Sequence, residues 1–346
     1  MNFTVNSSKH IKKIVATISI FALSLQMLPA AAARRRQILT VSKTFMQWCQ
    51  QRKTLPVETQ RTIDVLLVKA STQDCRLADI KLRNLRQLTI VKNQISDVQP
   101  LASLLSLRFL SLRNNQITDL TPLASLINLK WLNLDRNQIT DLKPLKSLRN
   151  LNTVYLRDNQ IRNITPLASL LQLKGLSLDT NRITDIQPLA GLSNLNWLRA
   201  SNNQIGNIRP LSNLINLNSL NLNQNKVADI APLGNSIDLQ ILYLNNNQIG
   251  NINPLKYLTE LNGLSLAGNR ISSVQPLSEL TDLTWLDLSN NKIVDVKPLA
   301  SLGELRWLYL KNNQVTDVKP LEKLSKLNWP VLNDNRQTPR STNSTN

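Results

Sequence analysis

The 346-residue sequence contains one histidine, His10, and it lies in the first 33 residues. Without an imidazole beyond that point, the rest of the chain cannot build a Ser/His or Cys/His nucleophile or a His-ligated metal site. Two cysteines, Cys49 and Cys75, are too few to hold a metal by themselves. The eight glycines are scattered and form no phosphate-cradling loop. The chain therefore reads as non-enzymatic, with no cofactor and no metal. Acidic residues are also scarce, 22 against 41 Lys and Arg, giving a formal charge of +19. Such an excess favours acidic partners: nucleic acid, anionic polysaccharide or a membrane surface.

The first residues read as an export signal. Lys9, His10, Lys12 and Lys13 form a basic start, Ile14 to Leu28 an apolar run, and Ala31-Ala32-Ala33 a cleavage site, so 1–33 is expected to be a signal peptide. Arg34, Arg35 and Arg36 follow at once, and positive charge there opposes translocation, which leaves an uncleaved signal anchor as the alternative. An exported chain with an even cysteine count points to a Cys49–Cys75 disulfide rather than two buried thiols. The expected location is periplasmic, cell-surface or secreted. Charge concentrates early, with 13 basic and 4 acidic residues in 34–92.

What is abundant is a repeat. Asparagine recurs every 22 residues, twelve times, from Asn93 to Asn335, and a Pro-Leu pair eleven times from Pro100-Leu101 to Pro320-Leu321. Each unit reads L-x-x-L-x-L-x-x-N-x-I-x-D-I-x-P-L-x-x-L-x-x, with Val for Ile and Asn for Asp allowed. This is a leucine-rich repeat, and the 22-residue unit with its D-I-x-P-L segment resembles the internalin type. The resemblance covers 82–335 and implies an α/β solenoid: a horseshoe with a parallel concave sheet, short helical or 3-10 turns on the convex side and a helical cap. It also suggests a protein partner.

The residues support the same fold independently. Leu132 and Leu134 alternate with outward residues at strand period, and Ile139, Leu142, Leu145 and Leu148 complete a core layer. One layer cannot bury its own apolar face, so stability must come from stacking. The repeated asparagine can donate to and accept from backbone groups of adjacent turns. Pro144 suits the first position of a helical turn. Helical character over 41–53 and 58–70, split by Leu55-Pro56, predicts the cap, 34–81, tied by Cys49 and Cys75; that link contributes about 3.5 kcal/mol in the chain-entropy model. Pro330 stands where the pattern asks for leucine, which suits an edge strand. Residues 336–346 are expected to be a disordered tail.

Two carboxylate patterns invite functional readings. Asp97, Asp119, Asp141, Asp185, Asp229, Asp295 and Asp317 imitate a calcium ladder, but each precedes proline by three residues, where a short side chain closes a turn on its own backbone. Asp135 and Asp179 share a column two repeats apart and imitate a glycosidase pair; solvated surface carboxylates are the expectation. Ala200 and Ser236 replace pattern leucines, as local packing weaknesses or as the makings of a local site.

The concave face offers three outward slots per repeat. Twelve repeats give 36 slots, which hold Phe109, Trp131, Tyr155, Trp197, Tyr243, Trp285, Trp307, Tyr309 and Trp329, nine of the twelve aromatics beyond residue 33. Trp285, Trp307 and Trp329 are expected to shield one another across strands, whereas Trp131 and Trp197, separated by Thr153 and Gly175, are not. Together the rings exceed the apolar patch a monomer tolerates, and aromatics dominate binding energy at interfaces. Arg113, Arg157, Arg199 and Lys311 share the face with Asp135, Asp179 and Asp287, leaving it nearly neutral. This argues against nucleic acid, which needs aromatics among dense cations. The reading is an exported protein that binds a protein partner in its aromatic arc. A glycan binder, with sugar rings stacked on the aromatics, and an intracellular scaffold with a spurious signal are the rivals. Oligomeric state is left open.

Overall fold

The computed structural model describes residues 43–335, all within one compact unit. The expected signal peptide, the start of the cap including Arg34 to Arg36, and the tail lie outside the described residues.

Three helices begin the unit: α1 (Phe45–Gln50), α2 (Val57–Ala70) and α3 (Cys75–Arg83). A capping box starts α1, in which the Thr44 side chain accepts from the Gln47 N–H and the Gln47 side chain accepts from the Thr44 N–H. Pro56 stands just before α2, and Asp74 caps α3 by accepting from Leu77. Cys49 and Cys75 form a disulfide with Cα atoms 5.6 Å apart, joining α1 to α3. Leu82, which opens the repeat pattern in the sequence, sits buried on α3. The helices join the array by hydrogen bonds from α2, where Thr59 donates to the Asp97 carboxylate and Thr62 to its backbone carbonyl.

Twelve three-residue strands follow at the 22-residue period. They are β1 (Gln87–Thr89), β2 (Phe109–Ser111), β3 (Trp131–Asn133), β4 (Thr153–Tyr155), β5 (Gly175–Ser177) and β6 (Trp197–Arg199). The second half holds β7 (Ser219–Asn221), β8 (Ile241–Tyr243), β9 (Gly263–Ser265), β10 (Trp285–Asp287), β11 (Trp307–Tyr309) and β12 (Trp329–Val331). They form one parallel sheet in sequence order, in which every residue pairs with its counterpart 22 residues on, such as Leu110 with Leu132. Pro330 lies in β12, the terminal strand, as a residue without an N–H to offer a further strand should.

Between strands the chain runs through 3-10 turns of three or five residues on the side opposite the sheet. Proline takes their second position, so that Lys143 rather than Pro144 starts its turn. The N–H of either position lacks an intrahelical partner, so proline costs nothing there. The core is a continuous stack of buried Leu, Ile and Val from Leu88 to Leu324.

The asparagine ladder is built as the repeat implies. Asn203 donates to the carbonyls of Leu178 and Ala200, at 3.0 and 3.2 Å, and accepts from the N–H of Ile183 at 3.0 Å. The same three bonds recur from Asn137 to Asn313. The Asp column closes turns: Asp119 accepts from the Thr121 N–H and Asp185 from the Gln187 N–H, each at 2.8 Å. Asn163, Asn207 and Asn251 do likewise. Ala200 and Ser236 are both fully buried, so neither shapes the surface directly.

Candidate aromatic face

Trp131, on β3, is not left bare on the sheet. Its ring meets Tyr155 of β4 at 5.4 Å between centroids, and Tyr155 in turn meets Trp197 of β6 at 5.6 Å, both tilted. The sequence reading that left Trp131 and Trp197 unshielded is corrected: Tyr155 bridges them. Sequence-neighbour logic compares residues within one column, whereas here a tryptophan leans diagonally onto the column two residues along the strand.

Gly175 makes the second contact possible. A Cβ built on it would fall inside the Trp197 indole, so only glycine at this place on β5 lets that ring cross the strand to Tyr155. With rings on both sides, Gly175, Leu176 and Ser177 are all buried.

The same arrangement recurs 88 residues later. Tyr243 of β8 meets Trp285 of β10 at 5.9 Å across Gly263 of β9, whose added Cβ would lie 3.8 Å from the indole. Tyr155, Gly175 and Trp197 thus correspond to Tyr243, Gly263 and Trp285. A comparison of units four repeats apart would have revealed this; comparing consecutive repeats hides it. Trp285 therefore finds its aromatic neighbour in Tyr243. Among the described residues no ring pair joins it to Trp307, although β10 and β11 set the two in register. Phe109 and Trp307 are the most exposed of the eight described rings, at 41% and 44%, while Tyr309 is half-buried. The Trp329 side chain lies outside the described residues.

The polar residues at the strand ends form a further ladder. Asp135 accepts from the Arg157 N–H at 2.7 Å, Asp179 from the Ser201 N–H at 2.8 Å, and Asn223 and Asn245 act likewise on the next repeat. The expectation of two solvated carboxylates is corrected. Asp179 is only 2% exposed, accepting also from the Ser201 hydroxyl at 2.6 Å and from Arg199 Nε at 3.0 Å. Burial raises the Asp135 carboxyl above its ordinary value against the opposing pull of the Arg157 N–H bond and the Arg113 and Arg157 charges. Arg113, Arg157 and Arg199 are exposed, Arg199 pinned by the buried Asp179.

One three-residue strand per 22-residue coil, an internal asparagine ladder and side chains displayed along a parallel sheet define a leucine-rich-repeat scaffold. Models described as "Leucine Rich repeats (2 copies)" match 83–125, 127–169, 149–191, 193–235, 215–257 and 237–279, and one described as "Leucine rich repeat" matches 259–315. The chain belongs to the leucine-rich-repeat family and, within it, to the bacterial internalin-like proteins. It is similar to the internalin InlF of Listeria monocytogenes at 33% identity and TM-score 0.77, over 82% of this chain and 86% of that one. A leucine-rich-repeat protein of Leptospira interrogans matches at 31% identity and TM-score 0.71, over 75% of this chain and 70% of its own. The plant peptide hormone receptor RGFR1, solved in complex with RGF2, shares the fold at 20% identity and TM-score 0.64, over 75% of this chain and 49% of the receptor. Among curated proteins none matches.

Proposed function

We propose that the chain is an exported, non-catalytic binding protein that takes a protein partner on its aromatic concave face. The observation that carries this reading is the repeated tyrosine and tryptophan pair, in which one ring holds the other in place across a glycine. Rings ordered before binding lose little side-chain entropy when a partner arrives, and partly exposed aromatics are the residues that anchor protein interfaces. Phe109 and Trp307 extend the face toward both ends of the sheet. Similar folds hold protein ligands, as the receptor solved with RGF2 does. The Cys49–Cys75 disulfide supports an oxidising location, in keeping with the signal-like N-terminus.

Trp307 and Phe109 are the probes of choice, because neither has a ring partner among the described residues and they are 44% and 41% exposed. Surface proteins of a target cell are captured on the immobilised protein, and the capture is repeated with Trp307→Ala and Phe109→Ala. One protein should be lost or weakened by about 2 kcal/mol in both variants, while both variants still unfold cooperatively and are folded at the temperature of the assay. Its capture should persist between about 50 and 200 mM salt, where phosphate-driven binding would collapse. Capture indifferent to both substitutions would overturn the reading.

A further inference from the structure

A second uncovered apolar feature lies away from the aromatic face, on the edge of the coil where the chain approaches each strand. Four residues before the strand, successive repeats place Leu105, Ile127, Arg149, Leu171, Ser193, Ile215 and Ile237. The five aliphatic ones are between 52% and 57% exposed. Each repeat contributes one side chain about 4.8 Å from the next, so the five, with Arg149 and Ser193 between them, lie along a stripe roughly 30 Å long. Stripes of this kind mark interaction sites when a soluble protein carries them.

The stripe is rigid. Asn128, Asn150 and Asn194 each donate at 2.9 Å to the backbone carbonyls of Leu105, Ile127 and Leu171, and Asn216 at 2.8 Å to that of Ser193. This second asparagine ladder holds the backbone at three of the five aliphatic positions, Leu105, Ile127 and Leu171.

The order of the stripe is its own mirror image. Counting strands, aliphatics stand before β2, β3, β5, β7 and β8, symmetric about β5, with the polar Arg149 and Ser193 before β4 and β6. An isologous interface requires such self-complementarity: what residue i meets on the partner, the partner's i meets in return. Turning one copy over about a two-fold axis through the fifth repeat brings Leu171 to its counterpart, Ile127 to Ile215 and Leu105 to Ile237. The same operation sets the repeat of Arg108, just before β2, against that of Asp238, three residues before β8, and the repeat of Arg86, just before β1, against that of Glu260, three residues before β9. The two chain positions that separate each pair, about 7 Å, are within the span of an arginine side chain. All four are exposed and have no salt-bridge partner among the described residues. Lys174 meets its own copy at the axis, a contact between two exposed, flexible cations that costs little in water.

We propose that this edge is the contact between two copies of the chain, stacked antiparallel about the fifth repeat, with both aromatic faces left free. Sedimentation velocity on the protein as its cell produces it should show a concentration-dependent dimer. Leu171→Asp places two carboxylates at the axis and should leave a monomer with unchanged melting, since the side chain lies outside the core; Ile127→Asp should do the same. Arg108→Asp and Asp238→Arg should each weaken association by about tenfold. The double variant carrying both should regain the dimer, because each interface then contains the swapped pairs. A protein that stays monomeric up to its solubility limit would overturn the proposal. So would a dimer indifferent to Leu171→Asp, or a double variant no better than the single ones.

Discussion

The Trp197 indole occupies the space a side chain on Gly175 would need. Any residue larger than glycine there must push the ring off Tyr155, while Trp285 over Gly263 leaves ordinary van der Waals room for a methyl group. Gly175→Ala should therefore destabilise the protein by about 1 to 3 kcal/mol, as overpacking does, and alter tryptophan fluorescence. Gly263→Ala should change both far less. Equal effects in urea unfolding would mean that Trp197 has another rotamer available at no cost.

The ladder makes a second prediction. Asn203→Ala leaves the Leu178 and Ala200 carbonyls and the Ile183 N–H without their partner, and should cost about 1 to 3 kcal/mol. From the sequence, Asn202 is the natural silent control, one residue outside the ladder. The structure corrects that choice, because Asn202 has φ of 52° and alanine tolerates the left-handed region poorly. Asn202→Gly is the proper control and should unfold within a few tenths of a kcal/mol of the parent, as asparagine and glycine both accept that conformation.

How far the sequence could be read depended on the reach of each contact. A repeat spacing of 22 reveals whatever bonds one coil to the next, so the leucine core, the Asn203 ladder and the turn-closing Asp119 were legible. The contact of Tyr155 with Trp197 skips a strand and hinges on a glycine that in the sequence looks like a gap. The stripe from Leu105 to Ile237 escaped because its positions are merely outside the core pattern. The left-handed residue before each ladder asparagine is half legible: Asn114, Asp158, Asn202, Asn246, Gly268, Asn290, Asn312 and Asp334 are types that favour it, whereas Lys92, Arg136, Thr180 and Gln224 announce no turn.

Thr180 is the least suited of these residues. It is β-branched and held at φ of 54°, where even unbranched side chains are strained. Its hydroxyl accepts a 3.5 Å contact from Asn202 at an exposed site, a weak compensation. Thr180→Asn should raise stability by about 1 kcal/mol in chemical denaturation. A loss on substitution would show that the Thr180 hydroxyl matters more than its backbone strain.

The last prediction concerns pH and Asp135. Burial raises its folded-state carboxyl above the ordinary value of 3.8, outweighing the Arg157 N–H bond and the Arg113 and Arg157 charges. A raised folded value means that the folded protein holds the proton more tightly than the unfolded chain. The associated stability is fully present below about 3.8 and is lost as pH rises through the folded value, so the ionised carboxylate is a liability at neutral pH. Asp135→Asn keeps an oxygen to accept the Arg157 N–H, as Asn223 and Asn245 already do for their neighbours. The variant should be more stable than the parent at pH 7, with the difference shrinking on acidification and gone below about 3.8. Unfolding curves at a series of pH values provide the check. A variant less stable at pH 7 would mean that attraction to Arg113 and Arg157 exceeds the cost of burying the charge.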